Sequence, residues 1–595
     1  MEVLEKKELN NALVAFLCTW GLQLMLGITV RNPLTLVFFA LFCAMGEKAR
    51  KNRKRKLFLP IYAMSAILTA AVILLYGKRA VARFDSALFR LLGIAIMLVG
   101  IFLSYFRVFQ LVLKVGNPFP IPKEGSAKGD DEIVEKAGAG VNTLSDTAVF
   151  FLAAAICFLC WLPYFLYEYP GIMTADSIVQ YEQVIGVNPL SNHHPIAHTM
   201  LIALFYKLGM SVTGDVNKAI SFYTVAQMIF FACCCSRVVV QVKRITGKAV
   251  PAFLSLAFFA LVPFNAVFSV TIWKDIPFAG IVMLLGCRLC EMSFKENPGA
   301  MDFAGFAVLS VLMSVFRSNG WYAFLVCAPF FIYGFRKNMR QALISVIAAV
   351  VIALLIKGPV MNAVGIVQPD FTESLSLPLQ QVARVLVEDE ELSSGDRELV
   401  EAVIDTTYIH ELYAPDFADN IKELVRAGHP EVIENNKGAY LGLWMRLGLA
   451  HPVHYIRAWF DLEGGYVYPD VSYDVGNIDG IMGNSYGLVP TPLIGGKAVV
   501  KGKEILIKLG SFVPLYGMLW CAGAYTWLVV FVLFMMLWKK KTMGGKLSVF
   551  VILQAALVLT LLIAAPVVDF RYEYCVVMLM PLTAAICAMI IKKRI

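Results

Sequence analysis

The sequence predicts an all-α polytopic membrane protein with about fourteen transmembrane helices, juxtamembrane helices and a mainly helical extracytoplasmic domain. Its 595 residues are 59% apolar and only 16% charged, and the mean hydropathy is +0.69. Roughly fourteen apolar segments reach about 20 residues, the length at which a helix spans a hydrocarbon core about 30 Å thick. Soluble globular proteins do not have this composition, so we expect the lipid bilayer to be the main surrounding of the chain.

The positive charge is distributed in a way that also indicates a membrane protein. The net charge of +9 comes largely from short basic runs beside apolar segments, such as EKARKNRKRK (47–56), WKKK (538–541) and the terminal KKRI. This is the pattern of the positive-inside rule and excludes a nucleic-acid partner as its explanation. The first apolar segment, near residue 11, lacks a small-residue cleavage site, so we expect it to remain as a span.

The cysteines are expected to be free. All thirteen lie in or at the ends of apolar segments, and none lies in the polar stretch 366–505. Cysteine often behaves as a small buried hydrophobic residue in such surroundings. The pattern therefore favours buried thiols over disulfides or a cysteine metal site.

The order of apolar and polar segments divides the chain into five parts. Residues 1–113 form a four-helix membrane unit with its N-terminus inside, and 114–145, rich in Pro, Gly and mixed charge, is a cytoplasmic linker. Residues 146–365 form the main membrane module, 366–505 an extracytoplasmic domain, and 506–595 the last transmembrane helices.

The segment 196–212 decides the topology. If it crossed the membrane, the basic run VKRITGK at 242–248 would lie outside, against the positive-inside rule. If it lies at the outer surface as a juxtamembrane helix, this run and every later basic run fall inside. We therefore expect it not to cross, with both chain termini inside. The first outer loop of the module, 168–218, then lies on the extracytoplasmic face together with 366–505.

The loop 168–218 contains the residues best suited to chemistry. Asp176 follows a Pro-Gly turn near the start of a short helix, so it is either a helix cap or a catalytic or metal-binding carboxylate. Three of the seven histidines in the chain fall within six consecutive residues of this loop, at 193, 194 and 198. For His193 and His194, substrate binding, metal binding and a structural cluster all stay open.

Three cations emerge at the ends of other spans on the same predicted face. They are Lys274 beside Asp275 in WKDIPF, Arg317 near Asn319 in FRSNG, and Arg571 beside Tyr572 in DFRYEY. Each is either an interfacial anchor or part of an anion site. Together they suit the phosphate or diphosphate of a lipid-linked substrate, which arginine binds in bidentate fashion.

These motifs resemble those of the GT-C superfamily of membrane glycosyltransferases, which take a sugar from a polyprenyl-phosphate carrier. The similarity lies in an Asp in the first outer loop (YPGIMTADS), juxtamembrane helices within that loop (NHHPIAHTMLIALFYKLG) and an outer domain before the last spans. The stretches SLPLQQVAR, HPVHYIRAWFDLEGGYVYP and DFRYEY are similar to those of a poorly characterised bacterial subset. The resemblance covers roughly 145–595 and leaves the first four spans outside it.

The resemblance implies an inverting glycosyltransferase in the plasma membrane, active on its extracytoplasmic face. The donor would be a polyprenyl-phosphate-linked sugar, and the acceptor an envelope glycan, a lipid or a protein. Asp176 would be the general base, with Asp275 as the second catalytic candidate, or Asp176 would bind Mg²⁺ or Mn²⁺ together with His194. No D-x-D or E-x-D occurs at Asp176. The substrate-binding residues would be His193, His194, Lys274, Arg317, Asn319, Gln380, Gln381, Arg384, Arg571 and Tyr572.

Two other classes of protein are alternatives. A transporter or flippase of lipid-linked glycans is expected to have ionisable residues at mid-membrane depth or broken helices in paired halves. A membrane sensor with a binding ectodomain does not need Asp, Lys and Arg at several separate span ends. The polar motifs of this chain cluster at span ends and no inverted repeat is visible, which favours the enzyme.

Overall fold

The computed structural model of the protein describes residues 2–50, 58–84, 86–113, 144–388, 390–473, 475, 478–538 and 545–591. The protein is 78% helical, and this part of the chain contains no strand. The predicted all-α class is therefore confirmed. Most of the predicted linker, as far as residue 143, lies outside the described residues.

The α-helices are numbered in chain order. They are α1 Glu2–Leu26, α2 Leu34–Arg50, α3 Phe58–Val72, α4 Lys78–Val81, α5 Ala87–Val112, α6 Asp146–Tyr167, α7 Ala175–Val184, α8 Ile196–Thr213, α9 Val216–Thr246, α10 Ala249–Leu261, α11 Pro263–Val270, α12 Asp275–Phe294, α13 Ala300–Phe316, α14 Ser318–Gly334, α15 Met339–Leu355, α16 Met361–Ala363, α17 Ser376–Val387, α18 Ser394–Glu401, α19 Ile409–Leu412, α20 Asp419–Ala427, α21 Pro430–Asn435, α22 Lys437–Ala450, α23 Pro452–Glu463, α24 Lys497–Leu509, α25 Ala522–Trp538, α26 Ser548–Ala564 and α27 Phe570–Ile591.

The chain forms two compact units. The first comprises Met1–Ala137, Pro469–Ser472 and Gly502–Ala524, and the second comprises Gly138–Tyr468, Tyr473–Lys501 and Tyr525–Ile595. The first unit thus adds two later segments to the predicted four-helix part, 1–113. Sequence order alone does not indicate this association.

Within the first unit, α1 packs against α2 and α5. The approach of α1 to α5 is close because two glycines face each other: a Cβ atom added to Gly21 would lie 2.8 Å from the Cα atom of Gly100. Two polar side chains between these helices, Arg107 and Asn11, are paired. Arg107 donates a hydrogen bond to the side-chain oxygen of Asn11 (3.0 Å), and the Asn11 amide donates to the carbonyl of Cys43 (2.9 Å).

Long apolar helices dominate the described residues. Nine helices are long and apolar enough to cross a membrane, or ten if the pair α10 and α11, bent by 55°, forms one span. Three further apolar helices, α13, α25 and α26, have 17 residues each. Helix α8 is among the nine, so length and composition alone do not distinguish a crossing helix from a juxtamembrane one. The count of fourteen spans and the sidedness of the loops stay predictions.

Cysteine labelling in a cysteine-free background tests the topology. We expect Lys218→Cys, at the start of α9, to react with an impermeant reagent from outside, because α8 is predicted not to cross. The control Ala300→Cys, at the start of α13, should react only after permeabilisation. Both positions are exposed. If Lys218→Cys reacted only from the cytoplasm, α8 would be a span and the sides of the later loops would be reversed.

Residues 371–466 form a helical domain with its own apolar core. Helix α17 packs against α20, α22 and α23, and the buried core residues are Ala383, Val385, Val400, Val403, Ile404, Ile409, Ile421, Val425, Ile433, Leu443, Leu447 and Tyr455. At the beginning of α18 the Ser393 hydroxyl accepts a hydrogen bond from the backbone N–H of Asp396 (3.2 Å), so Ser393 caps this helix. All thirteen cysteines are free, as predicted.

Candidate functional site

The loop between α6 and α7 is held by backbone hydrogen bonds to two distant segments. The N–H of Ile172 donates to the carbonyl of Val270 (2.9 Å), and the N–H of Ile272 donates back to Ile172 (2.9 Å). On the other side, the N–H of Met173 donates to the carbonyl of Gly480 (3.1 Å). These pairings fix the start of α7 beside the segment that leads into α12.

The backbone at Gly171 permits this close approach. Its φ is +142°, and an added Cβ atom would lie 2.5 Å from the hydroxyl oxygen of Thr224. We expect Gly171→Ala to destabilise the protein by about 1–3 kcal/mol, seen as a lower Tm in detergent. Gly186→Ala is the matched control, since its φ is +80° but nothing lies within 4 Å of the added atom. Equal Tm shifts for the two variants would show that the contact with Thr224 is unimportant.

The start of α7 is tied to the segment before α12 by side chains as well. The N-cap residue of α7 is Thr174, whose N–H donates to the Ser177 hydroxyl oxygen (3.3 Å). The Ser177 hydroxyl donates to the carbonyl of Ile272 (2.7 Å), and the Trp273 indole donates to the Thr174 hydroxyl oxygen (2.8 Å). Asp176 therefore lies in the first turn of the helix and is not its cap, so its carboxylate is available for other partners.

The partners of Asp176 are two cations from distant parts of the chain. Its Oδ2 atom lies 3.1 Å from a guanidinium nitrogen of Arg571 and 3.7 Å from Nζ of Lys274. Burial opposes ionisation of the carboxyl, but the charges of Lys274 and Arg571 outweigh it and lower the pKa of Asp176 to about 2. Asp176 is therefore an ionised carboxylate at neutral pH.

Lys274 also contacts His194, so the predicted histidine motif joins the same cluster. The Lys274 ammonium donates to Nδ1 of His194 (3.0 Å), which requires an imidazole that is unprotonated at this atom. His194 is buried, and burial together with the charge of Lys274 lowers its pKa to about 3. Burial also lowers the pKa of Lys274, against the opposing charges of Asp176 and Asp275. His194 is thus a neutral group at neutral pH.

Arg571 is surrounded by an acid and two aromatic rings. Its Nε atom lies 2.7 Å from Oδ2 of Asp569, and its guanidinium carbon lies 4.8 Å from the ring centre of Trp273 and 5.1 Å from that of Tyr572. Burial raises the pKa of Asp569 although Arg571 opposes the shift. Sequence reasoning did not identify Asp569 and Trp273 as site residues. Trp273 directly precedes Lys274, and Asp569 lies two positions before Arg571. This closeness in sequence to predicted site residues was the signal that could have identified them.

A second ion pair joins Asp275 to Arg317, with the Arg317 guanidinium hydrogen-bonded to Asp275 Oδ1. Arg317 lies 4.8 Å from the ring centre of Tyr572. Oδ2 of Asp275 and both polar atoms of the Asn319 amide are buried without a hydrogen-bond partner among the described residues. Leaving such groups unsatisfied costs about 1–3 kcal/mol each, so they are suited to meet a polar ligand.

The remaining predicted substrate-binding residues have other contacts. His193 is half exposed and packs edge-on against His194, with Nδ1 3.8 Å from a carboxylate oxygen of Glu373. Gln380, Gln381 and Arg384 instead make hydrogen bonds within the helical domain. Gln380 bonds to Ala414 and Phe417, Gln381 to Trp444 and Tyr455, and Arg384 to Glu388 and Asp461. Only His193, through His194, contacts the cluster around Asp176. For all four residues a role in substrate binding stays a prediction.

A divalent metal at Asp176 and His194 is a poor match to this geometry. The Asp176 carboxylate faces two cations, and the imidazole atom of His194 that is free to bind a metal accepts a hydrogen bond from one of them. Among the described residues, no group of three potential metal ligands with atoms within 4.8 Å of one another includes Asp176 or His194. Positively charged neighbours disfavour a bound cation. The residues around Asp176 therefore do not fit Mg²⁺ or Mn²⁺.

The fold and its long apolar helices are those of a multi-pass membrane protein, with a cluster of ionised side chains at the ends of several helices. The chain belongs to DUF6020, a family of unknown function, whose sequence profile matches residues 186–594. The matched region includes His194, Lys274, Arg317 and Arg571 and begins after Asp176. No curated protein and no solved structure matches the chain.

Proposed function

We propose that this protein is a membrane glycosyltransferase of GT-C type that moves a sugar from a polyprenyl-phosphate carrier to an extracytoplasmic acceptor. The acceptor would be an envelope glycan, a lipid or a protein. The enzyme would lie in the plasma membrane with its site on the outer face. In this proposal Asp176 takes the acceptor proton, and Lys274 and Arg571 bind the donor phosphate.

The proposal rests on one observation: Asp176, Lys274 and Arg571 lie at the starts of three different helices, and their side chains come together in one cluster. Asp176 is 395 positions from Arg571 in sequence, yet their side chains are 3.1 Å apart. A base beside two cations is the minimum that an inverting transfer from a phosphate leaving group requires. A helix cap or an interfacial anchor does not require this convergence.

In the proposed reaction, an acceptor hydroxyl attacks C1 of the donor sugar on the side opposite to the phosphate. The new bond from C1 to the acceptor oxygen forms as the bond from C1 to the phosphate oxygen breaks, and the electron pair leaves with the polyprenyl phosphate. The acceptor proton passes to Asp176. Lys274 and Arg571 stabilise the negative charge that develops on the leaving phosphate.

The same ion pairs explain how donor binding would prepare the base. Without donor, the two cations hold the pKa of Asp176 near 2, and a carboxylate with so low a pKa is a weak base. A donor phosphate that binds Lys274 and Arg571 would neutralise their charge. The pKa of Asp176 would then rise, because burial, which favours the protonated form, would be less opposed.

The test compares cell envelopes with and without the gene and then assays the purified protein. Mass spectrometry of envelope polymers is expected to show the loss of one sugar in the deletion strain. The purified wild-type protein should transfer that sugar from a polyprenyl-phosphate donor in detergent. A full set of envelope sugars in the deletion strain, together with no transfer from any polyprenyl-phosphate sugar tried, would refute the proposal.

One structural observation favours the alternative of a transporter or flippase. The pair α10 and α11 has the form of a broken span or a re-entrant loop, with a bend of 55°, and α11 leads directly toward Lys274. Broken helices are common at the substrate sites of transporters. A flippase predicts that lipid-linked precursors accumulate on the inner leaflet in the deletion strain. It also predicts that the purified protein transfers no sugar.

A further inference from the structure

Glu390, His451 and His454 form a second polar cluster, inside the helical domain. Glu390 follows α17, while His451 lies at the junction of α22 and α23 and His454 in the first turn of α23. One carboxylate oxygen of Glu390 lies 2.9 Å from Nε2 of His454, and the other lies 3.6 Å from Nδ1 of His451. The two histidines thus present one ring nitrogen each to the same carboxylate.

These distances are close to those of a metal centre. With metal–nitrogen and metal–oxygen bonds of about 2.0–2.2 Å and tetrahedral angles, neighbouring ligand atoms lie about 3.4 Å apart. The two observed distances lie on either side of this value, and all three potential ligand atoms lie within 4.8 Å of one another. The Glu390 side chain is 36% exposed, so rotation about its side-chain bonds can supply most of the adjustment that a bound ion needs.

We propose that Glu390, His451 and His454 bind a divalent transition metal ion, and we expect Zn²⁺. Two imidazoles and one carboxylate are a donor set that Zn²⁺ accepts, with water in the fourth position. The ion would tie the segment after α17 to the junction of α22 and α23 and so brace the helical domain. This site is independent of the transferase proposal.

A nearby part of the same domain offers a natural comparison. His429 lies 3.2 Å from a carboxylate oxygen of Glu431, but this pair is exposed and has no second histidine. In the Glu390 cluster both imidazoles are largely buried, with side-chain exposures of 18% for His451 and 16% for His454. Exposed single pairs are ordinary surface contacts. The difference makes His429 a suitable control.

The experiment uses the full-length protein in detergent, stripped with a chelator and then equilibrated with Zn²⁺. We expect one bound Zn²⁺ per chain by elemental analysis in the wild type and in His429→Asn, with a higher Tm than in the stripped protein. Glu390→Gln and His454→Asn should lower the affinity by more than about 100-fold, since loss of even an outer partner typically costs 10–100-fold.

Co²⁺ provides a second readout that does not depend on a folded variant. In the wild type, Co²⁺ held by nitrogen and oxygen ligands absorbs in the visible range without the intense near-ultraviolet band that thiolate ligands give. Absence of the thiolate band would exclude metal binding by the thirteen free cysteines. The proposal would be overturned if the wild type bound no Zn²⁺, if binding were unchanged in Glu390→Gln and His454→Asn, or if the Co²⁺ spectrum showed thiolate ligation.

Discussion

Asp176→Asn is expected to reach the membrane at normal abundance and to transfer sugar about 100-fold more slowly or worse, the usual scale for a positioned base. The substitution preserves the shape of the side chain and removes its charge and basicity. Helix α7 should survive, because its cap is Thr174 and not Asp176. The measurement is the turnover of the purified variant at saturating donor, beside its abundance in the membrane.

The expected loss separates a base from a structural partner. If Asp176 only compensated the charges of Lys274 and Arg571, its removal would leave two cations close together and lower the Tm with little change in turnover. Asp275→Asn is the comparison, since Asp275 is buried and paired with Arg317. Near-normal transfer by Asp176→Asn would remove this residue from the mechanism, and a large loss in Asp275→Asn alone would move the role of base there.

The sequence predicted individual helices well where apolar length and end signals agree. The predicted membrane module starts at residue 146, and the helix Asp146–Tyr167 begins at that residue. The hydroxyl of Ser145, just before it, accepts a hydrogen bond from the N–H of Ala148 (3.1 Å). The count of spans is harder, because several apolar helices have 17 residues and one apolar segment is broken at Pro263. Hydropathy measures how apolar a segment is. It does not reveal where the helix bends or how deeply it lies in the membrane.

The sequence identified the types of residue at the candidate site and predicted that they share one membrane face. It did not identify which of these residues form ion pairs with each other. Lys274 and Asp275 are adjacent and look like partners, yet Lys274 contacts Asp176 and His194, whereas Asp275 pairs with Arg317. Consecutive side chains at a helix start point in different directions, so adjacency does not imply contact.

The same limit applies to the metal cluster proposed in the helical domain. The two histidines lie three positions apart, but Glu390 is about 60 positions earlier in the chain. Only the packing of α17 against α23 brings the three side chains together. Contacts over such distances depend on tertiary structure, which a single sequence does not display.

Arg571→Ala and Lys274→Ala are each expected to raise the donor concentration needed for half-maximal transfer by about 10- to 100-fold. A lost charge-assisted contact costs about 1.5–3 kcal/mol, and each 1.4 kcal/mol is a factor of ten in affinity. Arg571→Lys should lose less, because it keeps the charge and gives up only the planar bidentate geometry. Initial rates over a range of donor concentrations, at fixed acceptor, provide the measurement.

The matched control is Arg446→Ala, which breaks an arginine–aspartate pair with Asp396 in the helical domain. It should leave donor use unchanged, because this pair does not contact the cluster around Asp176. If Arg571→Ala and Lys274→Ala used limiting donor as well as the wild type, the two cations would be anchors at the membrane surface. If the two variants lost stability without a change in donor dependence, Lys274 and Arg571 would serve to hold α7, α12 and α27 together. The phosphate site would then have to involve Arg317 and Asn319, since the Asn319 amide has no partner among the described residues.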